Sequence, residues 1–200
     1  MAVSIAICTF GDEKWERLAR ERALPSAEAQ DVSVMMVHGT SLAEARNEAL
    51  ADCDSEFLIY LDADDELEPG YVEAMLAGTG DVRAPSVRRV RDGKPRSRIY
   101  MPRVHRHRHI CRGDCLNDGN WITVGAMAKT SLLCDIGGWR DIPVYEDYDL
   151  WLRCWRAGAN IQPCPEAIYR YWISEGSRNN AMPIAERDEW HRWILGAAWR

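Results

Sequence analysis

No stretch of this sequence approaches the ~20 consecutive apolar residues that a membrane-spanning helix requires. The apolar run at the N-terminus, Val3–Ile7, is short and gives way at once to Gly11-Asp12-Glu13. Neither a span nor a secretory signal is expected. The cysteines, at 8, 53, 111, 115, 134, 154 and 164, are odd in number and follow no framework spacing. That excludes a disulfide scaffold and points to reduced thiols in a cytoplasmic protein. A basic excess is missing too: Lys and Arg total 25 against 31 Asp and Glu, a net charge of -6, which argues against a duplex nucleic-acid binder. Thr9-Phe10-Gly11-Asp12 stands where a nucleotidyltransferase would carry a glycine-rich phosphate loop. With no repeat and no low-complexity linker, the 200 residues, 46% hydrophobic and 28% charged, read as one globular domain.

What is present alternates. Val3–Cys8 reads as a buried strand, followed by a polar helix around Lys14–Arg22 that stops near Pro25. Residues 32–37 form a second buried strand, broken by His38-Gly39-Thr40. Ser41 caps the next helix and Glu44 completes a capping box. Phe57–Leu61 is a third strand, which runs into Asp62-Ala63-Asp64-Asp65-Glu66, and Pro69 opens another helix. Strand–helix alternation at this spacing predicts a parallel sheet with right-handed crossovers. Ligands in such sheets bind outside the carboxyl ends of the strands, where the acid cluster lies.

Further along, Val87–Val90 and Arg98–Met101 flank the turn Asp92-Gly93-Lys94-Pro95, and Trp121–Ala128 reads as a strand before a helix near Thr130–Ile136. Glu146–Arg156 is amphipathic, with Tyr148, Trp151, Leu152 and Trp155 at helical spacing. Ala167–Ile173 reads as a late strand and Ile184–Trp199 as a closing helix.

Asp62-x-Asp64 is the central chemical feature. Two carboxylates one residue apart in an extended loop can aim at one hard cation and leave positions for water and diphosphate oxygens. A solvated acidic turn has the same pattern. An EF-hand is excluded, because Leu67 occupies the position that loop reserves for glycine and a strand precedes it.

Four stretches together resemble family 2 glycosyltransferases of the GT-A fold. They are the opening strand ending Cys8-Thr9-Phe10; Ala45–Leu50 followed by Phe57–Asp65; Ile136-Gly137-Gly138-Trp139 followed by Tyr145–Arg153; and Tyr169-Arg170-Tyr171 followed by Gly176-Ser177-Arg178. They occur in the family's order and cover roughly residues 3–178. The resemblance implies a three-layer α/β/α sandwich with a mostly parallel mixed sheet. It divides the chain into a nucleotide-binding half (1–80), an acceptor-binding half (81–180) and a closing helix (181–200).

The activity implied is inverting, metal-dependent transfer of a sugar from a nucleotide-diphosphate donor. The acceptor (glycan, lipid, protein or modified nucleic acid) is left open. A catalytically inactive nucleotide-sugar-binding module of the same fold is the alternative. By the resemblance, Thr9 and Phe10 line the nucleotide mouth, and Arg46 and Asn47 sit near the donor's base and phosphates. Asp62, Ala63 and Asp64 form the donor strip, with Asp64 and Asp62 binding Mn2+ or Mg2+. Asp147 is the general base, held ionised by its place at a helix N-terminus, with Glu146 beside it on the acceptor side and Asp149 structural.

Two departures from the family pattern redirect roles. His38 stands where an acidic pair often reads the base, and Trp172 falls in an interval where a His often helps hold the diphosphate, which passes that role to Arg170 or Arg178. Trp121 and Trp139 suit either an acceptor-side sugar platform or core packing. His105, His107, His109, Cys111 and Cys115 interleave with arginines and fit no standard zinc spacing, so a basic acceptor-side loop is expected. Trp190, Trp193 and Ile194 form a stripe that docks the last helix onto the domain or, as the alternative, contacts a membrane surface or a second copy in a homodimer. The clustering of Arg and His over 83–112 beside acid at 52–68 and 141–149 suits a metal and a phosphate-bearing ligand, or equally a solvated surface.

Overall fold

A computed structural model of the chain describes residues 1–100, 116, 119–173 and 182–197. Its strands are β1 (Val3–Phe10), β2 (Ser33–Gly39), β3 (Phe57–Asp62), β4 (Glu66–Leu67), β5 (Val82–Arg91), β6 (Lys94–Tyr100), β7 (Met127–Lys129) and β8 (Ile161–Trp172). They form one mixed sheet ordered β2-β1-β3-β7-β5-β8-β4, with β6 paired to β5. The three longest ladders, β1–β2, β1–β3 and β5–β8, are parallel. Shorter antiparallel ladders join β3 to β7, β7 to β5, β5 to β6 and β8 to β4.

The order 2-1-3 fixes where the first helices go. The chain leaves β1 in one direction to form β2, then crosses back over β1 to form β3. Right-handed crossovers therefore put the two connections on opposite faces. The first connection is α1 (Lys14–Leu18), a π-helical turn (Ala19–Ala23) and α2 (Leu24–Glu28); the second is α3 (Leu42–Ala51). With helices on both sides, β1 and β3 are buried along nearly their whole length, which explains their unbroken apolar runs. α4 (Tyr71–Ala77) packs on β8, α5 (Thr130–Asp135) follows β7, and α6 (Glu146–Arg156) contacts α7 (Ile184–Ala197). No described helix is long and apolar enough to cross a membrane, and no disulfide joins Cys8, Cys53, Cys134, Cys154 or Cys164.

Several local expectations are corrected. The first helix does not stop near Pro25. Residue 21, whose carbonyl the proline ring would crowd in a regular helix, lies in the π-helical turn, and the helix continues through it to Glu28. β2 is half-buried because it is the sheet's edge, and it continues through His38 to Gly39. The segment before Met127 is not a strand; pairing with β3 and β5 begins at Met127. At α3 Ser41 Oγ accepts from Glu44 N at 3.2 Å, and the Glu44 carboxylate reaches back to the backbone N–H of Thr40, at 2.6 Å, and to that of Ser41.

Candidate active site

β1 and β3 lie side by side, yet the chain leaves them toward opposite edges of the sheet. Such a switch point opens a crevice beyond the strands' carboxyl ends. Here Cys8 pairs with Asp62, so Thr9 and Phe10 project beside the turn that follows β3. The crevice is a cleft of about 240 Å3, lined by Thr9, Phe10, Arg46, Asp62, Ala63, Asp64, Glu146 and Asp147, all expected from the sequence. Cys8, Trp15, Leu42, Asp65, Thr123, Val124 and Tyr171 complete it.

Arg46 joins the two acidic walls. Its side chain is 2% exposed and donates from Nη2 to Asp62 Oδ1 at 2.8 Å and from Nη1 to Glu146 Oε1 at 3.4 Å. The guanidinium carbon sits 4.1 Å from the ring centroid of Trp139, a cation–π contact in a dry setting. Burial alone would favour the neutral form. Asp62 and then Glu146 outweigh it, so the guanidinium pKa ends above its ordinary value. Arg46 is therefore a fixed positive charge beneath the cleft, tying the end of β3 to the start of α6.

The turn after β3 gathers three carboxylates. Asp65 N donates to Asp62 O at 3.0 Å, and Arg22 Nη1 holds the carbonyl of Asp64 at 2.9 Å. Asp65 is 1% exposed, and its Oδ1 accepts from Trp172 N at 2.8 Å. Burial first, and then the charges of Asp64 and Asp62, push its carboxyl well above the usual range. Asp62 and Asp64 thus turn carboxylate oxygens toward the cleft, with Asp62 bound to Arg46. An oxygen-rich donor set of this kind fits a hard divalent cation. Among the described residues no group of three or more His, Cys, Asp or Glu side chains is arranged to hold a metal unaided, so the remaining ligands would come from diphosphate and water.

Asp147 lies in the first turn of α6, and here the structure corrects the sequence expectation. Burial and then the charge of Glu146 outweigh the bonds from Tyr148 N and Asn120 and the charge of Arg46, and push its pKa from 3.8 up to about 7. Its Oδ1 accepts from Tyr148 N at 2.8 Å and its Oδ2 from Asn120 Nδ2 at 2.9 Å. A carboxyl poised near neutral pH is better matched to proton transfer than an ordinary aspartate. The turn into α6 is made by Tyr145 at φ 61°, whose carbonyl accepts from Asp149 N at 2.9 Å. Asp149 is fully buried and structural as expected, binding Arg153 Nε at 2.8 Å and Arg140 Nη1 at 3.2 Å. Arg153 in turn donates to the carbonyls of Ile136 and Gly138 at 2.9 and 2.7 Å.

Other expected site residues are placed elsewhere. Asn47 faces Trp139, not the cleft: Nδ2 donates to the Trp139 carbonyl at 2.9 Å and Oδ1 accepts its N–H at 2.8 Å. That clasp needs Gly138, at φ +66°, where a Cβ would lie 2.3 Å from Asn47 Oδ1. Trp139 is 3% exposed, packed edge-on against Tyr60 and Trp151 under Arg46, so core packing wins over a sugar platform. Trp121 is partly buried against the core and does not line the cleft. His38 Nδ1 lies 3.0 Å from Thr9 Oγ1 and 3.3 Å from Glu16 Oε1, behind the cleft wall.

Arg170 is turned away from the cleft. Its Nε donates to Glu68 Oε1 at 3.1 Å, and Nη1 lies 4.0 Å from Glu66 Oε2. Strand alternation explains it: Arg170 and Trp172 share one face of β8, while Tyr169 and Tyr171 share the other. Tyr171 lines the cleft, and Tyr169 Oη lies 3.4 Å from Asp62 N. Trp172 is pinned by Glu66 Oε2 at 2.7 Å and by Arg22, 3.8 Å from its ring centroid. Period-two parity with the acid turn could have singled out Tyr171; Asn120 carried no such signal. Arg178 and the His105–Cys115 stretch lie outside the described residues.

A family model described as "Glycosyl transferase family group 2" matches residues 57–200. No curated protein sequence matches the chain. Among solved structures, residues 1–349 of S. aureus TarS in complex with UDP-GlcNAc align with TM-score 0.74 at 14% identity, covering 99% of this chain and 66% of that one. The same fragment with UDP aligns at TM-score 0.67 and 14% identity, covering 99% and 65%. A longer S. aureus TarS structure aligns at TM-score 0.65 and 15% identity, covering 88% and 37%. The chain thus spans about two thirds of the shorter TarS structures. At these identities the likeness shows the GT-A fold.

Proposed function

The chain belongs to glycosyl transferase family group 2, and from that premise we propose that it moves a sugar from a nucleoside-diphosphate donor to an acceptor hydroxyl, with inversion and with help from a divalent metal. One observation carries the reading. The acid turn Asp62–Asp65 and the carboxyl of Asp147, with its pKa raised to about 7, line a single cleft at the sheet's switch point. Binding of UDP-GlcNAc and UDP by TarS points to the same donor class here.

Thr9, Phe10, Trp15 and Leu42 wall the nucleotide end of the cleft, their apolar surface packing on the base and ribose. Asp64 and the outer oxygen of Asp62 would hold Mn2+ or Mg2+. When bound, such an ion supplies charge neutralisation of the diphosphate as it leaves. Arg46 keeps one oxygen of Asp62 committed and so sets the carboxylate's orientation. Asp147 takes the acceptor's proton as its oxygen attacks the anomeric carbon. A single base with one displacement gives inversion. Asn120 and the Tyr148 N–H orient the carboxylate for that transfer, and Glu146, bound to Arg46, holds the local charge that keeps Asp147 near neutrality.

The metal is tested by calorimetric titration of UDP into wild type and Asp64→Ala, with Mn2+ and with chelator. Wild type should bind more tightly with the ion, and the folded variant should lose that difference. Equal wild-type affinity in both conditions would overturn the metal role.

A further inference from the structure

Arg22, Ser26 and Gln30 follow one another at intervals of four along the connection between β1 and β2, Arg22 and Ser26 on the helix and Gln30 just past its end. Residues four apart recur on one side of a helix, and here that side meets the backbone that follows β3. Arg22 Nη1 donates to the carbonyl of Asp64 at 2.9 Å. Ser26 Oγ accepts from Leu67 N at 3.1 Å. Gln30 Nε2 donates to the carbonyl of Glu68 at 3.2 Å, and its Oε1 accepts from Val72 N at 3.2 Å. Residues 64–72 are thus laid along the connection as along a rail, with Arg22 at the end nearest the cleft. Arg22 is also the member of the three that lies in the π-helical turn Ala19–Ala23, a distortion frequent at functional sites.

The same guanidinium covers the Trp172 ring, 3.8 Å from its centroid. Trp172 N donates to Asp65 Oδ1 at 2.8 Å, and its Nε1 donates to Glu66 Oε2 at 2.7 Å. The acid turn is therefore held at two points, the Asp64 carbonyl and the Asp65 side chain, and Arg22 joins the two holds. We propose that Arg22 is the positioning residue of this turn: acting through the Asp64 carbonyl and through Trp172, it fixes the direction in which Asp64 presents its carboxylate to the cleft. Arg22 itself does not line the cleft, so it acts only through these neighbours. Its chemistry suits the task. A hydrogen bond from a charged donor is roughly twice as strong as a neutral one, and a planar guanidinium can donate from its edge while its face stacks on a ring. Trp172, one of the two departures from the family pattern, is on this account an anchor of the turn. Only the consequence for a bound ion rests on the proposed metal role; the fixing of the turn does not.

The direction of the effect separates positioning from charge. By Coulomb's law alone, a guanidinium beside carboxylates weakens the binding of a second cation, so its removal would tighten metal binding. Loss of a group that orients a metal ligand loosens it instead, typically by about 10–100-fold. The test has two arms on wild type, Arg22→Met, Arg22→Lys and Gln30→Ala, with melts to confirm folding. The first arm is amide hydrogen exchange without nucleotide or ion. Residues 62–66 should exchange faster in Arg22→Met than in wild type, and less so in Arg22→Lys, which keeps a donor but no flat face. In Gln30→Ala the faster exchange should fall at 68–72 instead. The second arm is calorimetric titration of UDP with Mn2+ and with chelator. The gain in affinity from Mn2+ should shrink by about tenfold in Arg22→Met, with affinity in chelator unchanged, and should be kept in Gln30→Ala. Unchanged exchange at 62–66 in Arg22→Met, or a Mn2+ gain there equal to or larger than that of wild type, would overturn the proposal. Wild type without any Mn2+ gain would overturn the metal role, and the exchange arm, which uses no ion, would still decide what fixes the turn.

Discussion

Replacing Arg46 by methionine keeps a long unbranched side chain under the cleft and removes only its charge and its donors. What is lost is specific: the 2.8 Å bond to Asp62, the 3.4 Å bond to Glu146 and the cation over Trp139. Glu146, 14% exposed, then loses the guanidinium that faces it, whereas Asp62, at 36%, recovers part of its hydration. Breaking a buried pair by removing one partner costs ~3–5 kcal/mol. The partial exposure of Asp62 places this case at the low end, about 3 kcal/mol. For a domain of this size that corresponds to a fall in Tm of about 6–12 °C. The assay is a calorimetric melt of wild type, Arg46→Met, and the triple variant Arg46→Met/Asp62→Asn/Glu146→Gln, in which no buried charge is left behind. The single variant should melt well below wild type, and the triple variant should recover much of the loss. A single-variant shift under about 2 °C, or no recovery in the triple variant, would refute the assignment of Arg46 as the charge that holds both walls together.

Asp147 gives two pH signatures. As a base active only when deprotonated, it should make turnover rise with pH through about 7; a rate profile flat across that region would contradict its role. Its folded pKa of about 7 lies above the ordinary 3.8, so between these values the folded state holds a proton that the unfolded state has lost. Stability from this group therefore declines as pH rises from about 4 to about 7, and chemical denaturation across that range should show a slope that Asp147→Asn reduces.

Much of this site is legible in sequence because it lies where local pattern and topology coincide. Apolar runs give β1 and β3, the run into Asp62-Ala63-Asp64-Asp65 marks the carboxyl end of β3, and the pattern over 146–156 gives α6 with the bounds observed. Side-chain direction across long sequence separations was not legible. Arg46 reaches Glu146 a hundred residues away, Asn47 spends both ends of its amide on Trp139, and Arg170 is drawn to Glu66 and Glu68 by a two-residue edge strand too short to announce itself. The raised pKa of Asp147 is illegible for a related reason: the helix terminus is a local feature, but burial and the facing acid are tertiary. Pro25 shows the same limit in the backbone, since nothing local signals the π-helical turn that lets the helix pass it.

The central claim is that this cleft carries out chemistry on a nucleotide sugar, with Asp147 acting in the chemical step alone. The direct measurement pairs nucleotide-sugar turnover with UDP affinity in Mn2+ for wild type, Asp147→Asn and Glu146→Gln, with melts as the folding control. General-base assistance is worth about 10²–10⁴-fold. Asp147→Asn should lose turnover by that factor while UDP affinity stays within about twofold, because a group acting only in the transition state contributes little to binding; Glu146→Gln should be milder. Wild-type turnover in Asp147→Asn, or loss of UDP binding along with turnover, would contradict the account, and wild type that binds UDP without turning over any nucleotide sugar would leave the cleft an inert binding module.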